Sequence, residues 1–189
     1  MIPTELQEDF EYIENFLSED EADELMKYLI EETNWEEREI TLFGKTYMQP
    51  RLIKWFGERE YTYSNERMRV EMFPGRLDDL RLKLEENLGC KFNSVLLNYY
   101  RDGNDSMGRH SDDEKELGTR PIIASISLGV QRDFVIVEKL GMKRRYVFPL
   151  ENGSLLVMKE DSQKLYAHEL PKRKKVKEGR INLTFRYVY

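Results

Sequence analysis

Five residues of this 189-residue chain have the types and spacing to hold a divalent iron with a small dicarboxylate beside it: His110, Asp112, His168, Arg180 and Arg186. His110 and Asp112 stand two apart, so on an extended backbone both side chains face the same way and can reach one ion. His168 arrives 56 residues after Asp112 in another strand-like run. Two imidazoles and one carboxylate make the facial triad of non-haem iron centres, which leaves coordination positions open for a cosubstrate and dioxygen. These are the only two histidines in the chain. A His-x-Asp pair also arises by chance, however, and His168 alone would fit a core or surface position equally well.

The C-terminal run narrows the choice. Arg180, Asn182, Thr184 and Arg186 share one face of a strand by period two. A guanidinium deep in a barrel is costly unless a carboxylate meets it bidentately. Asn98 and Tyr100 form a second alternating pair, able to offer an amide and a phenolic hydroxyl to the same anion. An edge strand with its arginines facing outward is the competing reading.

The elements that must position these residues change character along the chain. Ser18 and Glu21 have capping-box spacing, and Ala22, Leu25, Met26, Leu29 and Ile30 recur at helical intervals, which predicts a helix over 19–32. Leu77, Leu80, Leu84 and Leu88, followed by Gly89, predict a second. From Phe92 the period becomes two, over 92–100, 122–128, 134–137, 145–148, 154–158, 166–170 and 181–189, with breaks at Gly103, Gly129, Gly141 and Gly153. Many short strands after two helices predict a mainly β fold with flanking helices, a sandwich or jelly roll. Residues 40–65 are less regular, with Phe43-Gly44-Lys45 set like a hairpin tip. The expected organisation is a single domain: an acidic helical extension over 1–39, a lid with a buttressing helix over 40–91, and a catalytic core over 92–189.

Charge is unevenly spread. Residues 5–39 hold fifteen Asp and Glu against Lys27 and Arg38, so the net charge of −6 conceals a body in which residues 40–189 carry 28 basic groups against 21 acidic. The local field, not the total, decides what docks. One cysteine, Cys90, excludes an internal disulfide and suits a reducing compartment. No apolar stretch is long enough to span a membrane and no secretory signal is present, so a cytoplasmic or nuclear monomer is expected.

Taken together, Asn98-Tyr99-Tyr100, His110-Ser111-Asp112-Asp113-Glu114, His168 and the run Arg180 to Arg186 resemble the AlkB family of iron(II)- and 2-oxoglutarate-dependent dioxygenases over roughly residues 40–187. Asp102-Gly103, Ser127-Leu128-Gly129, Arg132-Asp133-Phe134, Gly153 to Leu156 and Leu170 to Val176 place the likeness nearest the branch containing the human nuclear DNA-repair homologue. The resemblance implies a double-stranded β-helix in which His110, Asp112 and His168 bind iron(II). It also implies that Arg180, Asn98 and Tyr100 hold the distal carboxylate of 2-oxoglutarate, with Arg186, Asn182 and Thr184 at its metal-proximal end. The implied reaction converts 2-oxoglutarate and O2 to succinate and CO2 while an N-methyl group of 1-methyladenine or 3-methylcytosine in DNA leaves as formaldehyde.

For the substrate, the resemblance implies that Leu42, Phe43, Gly44 and Lys45 probe and wedge a duplex, that Tyr61 and Tyr63 flank a flipped base, and that Arg51 contacts backbone or orphan base. Asp113 would meet the positively charged damaged base, and Lys172, Arg173, Lys174 and Lys175 would clamp phosphates. Three have a plainer alternative: for the Phe43 segment a hairpin tip tucked into its own core, for Tyr61 and Tyr63 core packing, and for the lysine cluster a solvated basic loop. Duplex DNA is the expected partner, with single-stranded DNA also open. A related enzyme acting on RNA or another N-alkyl group, and a non-enzymatic nucleic-acid reader, are the competing functions.

Overall fold

The computed structural model describes residues 2–42, 45–63, 66–68 and 70–189. Strand β1 (Phe10–Ile13) precedes the acidic helix α1 (Glu19–Glu32). Then come β2 (Glu39–Leu42), β3 (Lys45–Met48), β4 (Leu52–Gly57), β5 (Tyr61–Tyr63), β6 (Glu66–Met68) and helix α2 (Gly75–Leu88). The remainder is β7 (Ser94–Tyr100), β8 (Met107–His110), β9 (Ile123–Gly129), β10 (Arg132–Glu138), β11 (Arg145–Leu150), β12 (Leu155–Met158), the one-turn helix α3 (Ser162–Leu165), β13 (Tyr166–Leu170) and β14 (Arg180–Arg186).

Two antiparallel sheets face each other, one in the order β1-β12-β9-β14-β7-β4 and the other β11-β10-β13-β8, while β2-β3 and β5-β6 are separate hairpins. This is the expected jelly roll with flanking helices. Its outer layer forms because α1 offers Ala22, Leu25 and Leu29, and α2 offers Leu77, Leu80 and Leu84, to one core with Val95, Leu97, Ile181, Leu183 and Phe185 of the larger sheet. A second core between the sheets joins Phe10, Phe134, Ile136, Phe148, Leu156 and Tyr166. Both helices end as their sequences predict. Ser18 Oγ accepts from the Glu21 N–H while Glu21 Oε2 accepts from the Ser18 N–H, and Gly89 closes α2 at φ 64°. Ile30 departs from the helical stripe and is exposed.

All seven expected strand runs are present. The sequence does not announce β1, β4 or β8, and the reasons differ. β1 lies in the acidic segment and buries only Phe10 fully. β4 carries Lys54, which is nonetheless buried and ion-paired to Glu71 at 2.7 Å. β8, Met107-Gly108-Arg109-His110, has no β-branched residue, and its place is set by pairing with β13.

The loop after β7 is locked to the connection between β13 and β14. The Gly103 N–H donates to the Val176 carbonyl at 3.0 Å, and the Gly103 carbonyl accepts from the Arg173 N–H at 2.7 Å. The fully buried Arg132 guanidinium reinforces this by donating to the carbonyls of Asp102, Asp105 and Pro171. A Cβ at Gly103 would sit 1.8 Å from the Arg173 carbonyl oxygen, a backbone atom that cannot swing away. Gly103→Ala is therefore expected to destabilise by about 3 kcal/mol, at the upper end of overpacking costs. Gly75→Ala, where nothing lies within 4 Å, should be neutral or better; urea denaturation of both variants checks the contrast.

Candidate metal centre

The β8–β13 pairing sets His110 directly opposite His168. Their ring centroids are 4.3 Å apart in an edge-to-face arrangement, and the His168 ring stacks on Phe134 at 5.3 Å. Asp112 lies past the end of β8 rather than on it, yet the loop turns its carboxylate back so that Oδ1 is 3.7 Å from His110 Nε2. One ligand atom from each of the three residues falls within 4.8 Å of the others. His110 Nδ1 sits 2.9 Å from the Gly108 carbonyl oxygen. That contact makes Nδ1 the protonated nitrogen and leaves the Nε2 lone pair for a cation.

Electrostatics prepare the three for ligation. Burial pushes the His168 imidazole down to about 3, helped by its neighbour His110. Burial likewise lowers His110, so both rings are neutral near pH 7. Burial by itself would raise the Asp112 carboxyl, but the Arg186 guanidinium and then the two imidazoles hold it well below the usual carboxylate range. Asp112 Oδ2 accepts from Arg186 Nη2 at 2.8 Å, whereas the buried Oδ1 accepts no hydrogen bond among the described residues. A charged, desolvated oxygen beside two neutral imidazoles is costly as it stands, and a divalent cation is the partner that would satisfy it. The donor set therefore fits iron(II).

The strand β14 supplies the adjoining wall. Its register puts Arg180 opposite Tyr100 and Asn182 opposite Asn98 on β7, and its seven residues are all buried. Arg180 Nη2 donates to Ser127 Oγ at 2.8 Å, and the guanidinium lies over the Tyr100 ring at 5.5 Å. Burial pushes Arg180 down to about 10. Among the described residues no carboxylate pairs with it, and its Nε has no hydrogen-bond partner. Asn182 Nδ2 donates to Ser125 Oγ, and Thr184 Oγ1 donates to Asn182 Oδ1. One cavity is lined by the three prospective ligands together with Asn98, Tyr100, Arg180, Asn182, Thr184 and Arg186.

The residues expected to touch substrate are more scattered. Arg51 is buried, with Nε donating to Asn98 Oδ1 at 2.8 Å, so it holds a cavity residue rather than facing solvent. Asp113 lies outside the cavity, its side chain 68% exposed and 3.6 Å from Lys139 Nζ. Lys172, Lys174 and Lys175 are exposed on the connection into β14, but Arg173 is clasped by Asp133 at 2.6 Å. Lys45 is exposed at the start of β3 and pairs in register with Leu42; Tyr61 and Tyr63 lie on β5. Phe43 and Gly44 fall outside the described residues. Ser125 and Ser127, which hold Asn182 and Arg180, were not singled out as site residues from sequence. Their Ser-x-Ser spacing has the same period as the residues they serve.

Two outcomes test this geometry. His168 has an ordinary value of 6.5 and a folded value of about 3, so its contribution is fully present above 6.5 and is lost as pH falls toward 3. Metal-free protein should unfold at lower urea as pH drops from about 7.5 to 5, with the slope reduced in His168→Gln. Asp112→Asn strips Arg186 of its buried ion pair and should cost about 3–5 kcal/mol, read by the same titration at pH 7.5.

Comparison with known proteins then places the chain. Residues 9–186 match the family model described as "2OG-Fe(II) oxygenase superfamily". "Alpha-ketoglutarate-dependent dioxygenase alkB homolog 3" of Rattus norvegicus is 41% identical over 92% of this chain and 62% of its own length. The Homo sapiens protein of that name is 40% identical over 92% and 64%. The chain thus spans a little under two thirds of these relatives. "DNA oxidative demethylase ALKBH2" of Homo sapiens is 37% identical over 89% of this chain and 69% of its own length. Among solved structures, "The structure of OsALKBH1" matches with a TM-score of 0.65 at 17% identity, covering 94% of this chain and 97% of that one, which speaks for the fold. The expected placement nearest the nuclear DNA-repair branch is corrected by these identities, 40–41% to homolog 3 proteins against 34–37% to ALKBH2 proteins. The motifs behind that expectation are scaffold: Gly129 and Gly153 make turns at φ 83° and 72°, Arg132 ties loops together and Asp133 clasps Arg173. Residues that close the barrel cannot separate branches built on the same barrel; what they and the triad do mark, with the matched family model and relatives, is the wider group, and the chain belongs to the 2OG-Fe(II) oxygenase superfamily, within its AlkB family.

Proposed function

We propose that this protein is an iron(II)- and 2-oxoglutarate-dependent dioxygenase that removes N-methyl groups from nucleobases in single-stranded nucleic acid, RNA included. The observation that carries the chemistry is the buried Arg180, which lacks a carboxylate partner among the described residues and lines the same cavity as His110, Asp112 and His168. A dicarboxylate answers both needs at once. Arg180, with Asn98 and the Tyr100 hydroxyl, would hold one carboxylate, and Arg186, Asn182 and Thr184 would hold the other. Iron(II), when bound, couples conversion of 2-oxoglutarate and O2 to succinate and CO2 with oxidation of the N-methyl carbon, which leaves as formaldehyde.

The protein's own share is positioning. His110 and His168 donate neutral nitrogen lone pairs, Asp112 donates a carboxylate held ionised by Arg186, and Arg51 fixes the Asn98 amide through its oxygen, which turns the Asn98 NH2 group to other partners. Leu96, Phe134, Leu150 and Leu170 keep much of the cavity wall apolar and so exclude water. The higher identity to homolog 3 proteins than to the proteins named DNA oxidative demethylase supports keeping RNA among the substrates. The exposed amines of Lys172, Lys174 and Lys175 suit any phosphate backbone and favour no strand form.

The test is turnover of matched oligonucleotides carrying one 1-methyladenine or 3-methylcytosine, as single-stranded RNA, single-stranded DNA and duplex DNA, with base composition read by mass spectrometry. Restored bases on the single strands, lost when 2-oxoglutarate is omitted, are expected. Repair confined to duplex would overturn the strand assignment, and repair of none of the three would overturn the substrate class. Arg180→Met should raise the KM for 2-oxoglutarate at least about thirtyfold, the loss of a buried charged contact worth about 2 kcal/mol; an unchanged KM would remove Arg180 from the cosubstrate site.

A further inference from the structure

We propose that Gln163 is a positioning residue that latches the Asp112 loop to the strand carrying His168, so that the carboxylate stays in reach of the metal; this rests on the metal-centre reading above. The sheet aligns His110 with His168 directly. Asp112 has no such support, because β8 ends at His110 and the chain runs irregularly from there to the short turn at Lys115–Leu117. The backbone N–H of Asp112 instead donates to Gln163 Oε1 at 2.8 Å.

Gln163 is built for that task. It is 4% exposed and sits on α3, five residues before His168, so one short segment delivers a ligand and anchors the backbone of another. Its amide cannot turn over freely, since Nε2 is occupied by Ser162 Oγ at 3.2 Å and Met158 Sδ at 3.4 Å. Its own backbone is held in turn by Lys139, whose Nζ donates to the Gln163 carbonyl at 2.7 Å, while the Lys139 N–H donates to the Leu165 carbonyl. Lys139 Nζ also lies 3.6 Å from Asp113, the residue after the ligand. The neighbouring Ser111 Oγ donates to the Tyr166 carbonyl at 2.9 Å, a second stitch between the same two segments. The Arg186 ion pair fixes one carboxylate oxygen of Asp112; the Gln163 contact fixes the main chain from which that carboxylate hangs. Both constraints are needed to aim the remaining oxygen.

The test uses Co(II) as the probe metal on the full chain, with affinity from titration and geometry from the visible absorption bands. Gln163→Leu keeps the volume but removes the acceptor, and should weaken Co(II) binding at least about tenfold and shift the bands, the size of effect known for groups that orient metal ligands. Gln163→Glu keeps an acceptor at the same reach and should bind Co(II) more tightly than Gln163→Leu does. Leu29→Ala, buried in the outer core far from the site, serves as a control that lowers thermal stability without changing the bands. Parent-like affinity and bands in Gln163→Leu would overturn the latch. If that variant does not fold, Lys139→Met decides: weaker binding with shifted bands supports the latch and unchanged binding refutes it. A parent chain that takes up no Co(II), or a His168→Ala chain that binds it equally well, refutes the metal centre and the latch together, an outcome distinct from loss in Gln163→Leu alone.

Discussion

Burying two guanidinium groups on one face of a central strand is the constraint around which this molecule is arranged. β14 lies between β9 and β7, with Ile181, Leu183 and Phe185 committed to the helices on one side. The alternation then obliges Arg180, Asn182, Thr184 and Arg186 to face the inside of the barrel. A polar wall inside a jelly roll is tolerable only when every group on it has an answer. Asp112 answers Arg186, Ser125 answers Asn182, and Ser127 with the Tyr100 ring partly answers Arg180. What is left over on Arg180 and on Asp112 Oδ1 defines the ligands the cavity can accept.

The same two-sidedness disposes of the acidic segment. α1 packs against the helix-facing side of the larger sheet, whereas the cavity opens on its other side, so the carboxylates of residues 19–32 are held across the sheet from the site. An acidic helix and a cavity walled by buried arginines can therefore belong to one chain. Local placement, rather than the net charge of −6, sets the field at the cavity.

Much of this was legible in the chain. The period-two runs of the second half appear as strands, the capping box closes, and Gly89, Gly129, Gly141 and Gly153 all adopt positive φ where the sequence placed breaks. The nine residues expected around the metal and anion line one cavity; for the eight on strands the face follows from parity, whereas Asp112 is brought there by the loop after β8. What escaped depends on distant partners. β8 has no strand signature of its own and exists because β13 pairs with it. Arg51 is expected to contact a nucleic-acid backbone or orphan base, yet Asn98, 47 residues away, holds it inside. The branch assignment failed for a related reason, since turn glycines and loop-tying arginines report the shared barrel and not its occupant.

The position of β14 also bears on how the molecule comes into being. Among the described residues every other strand precedes it along the chain, yet it occupies an interior place in the larger sheet, with Phe185 against both Val95 and Ala124 in register. Until its residues are available, β9 and β7 present facing, unpaired edges across a gap of one strand width, and α1 and α2 have only part of their floor. This one segment joins the two edges, completes the outer core and carries both arginines. A chain lacking this segment would therefore lack both the closed larger sheet and the Arg180 and Arg186 wall of the cavity.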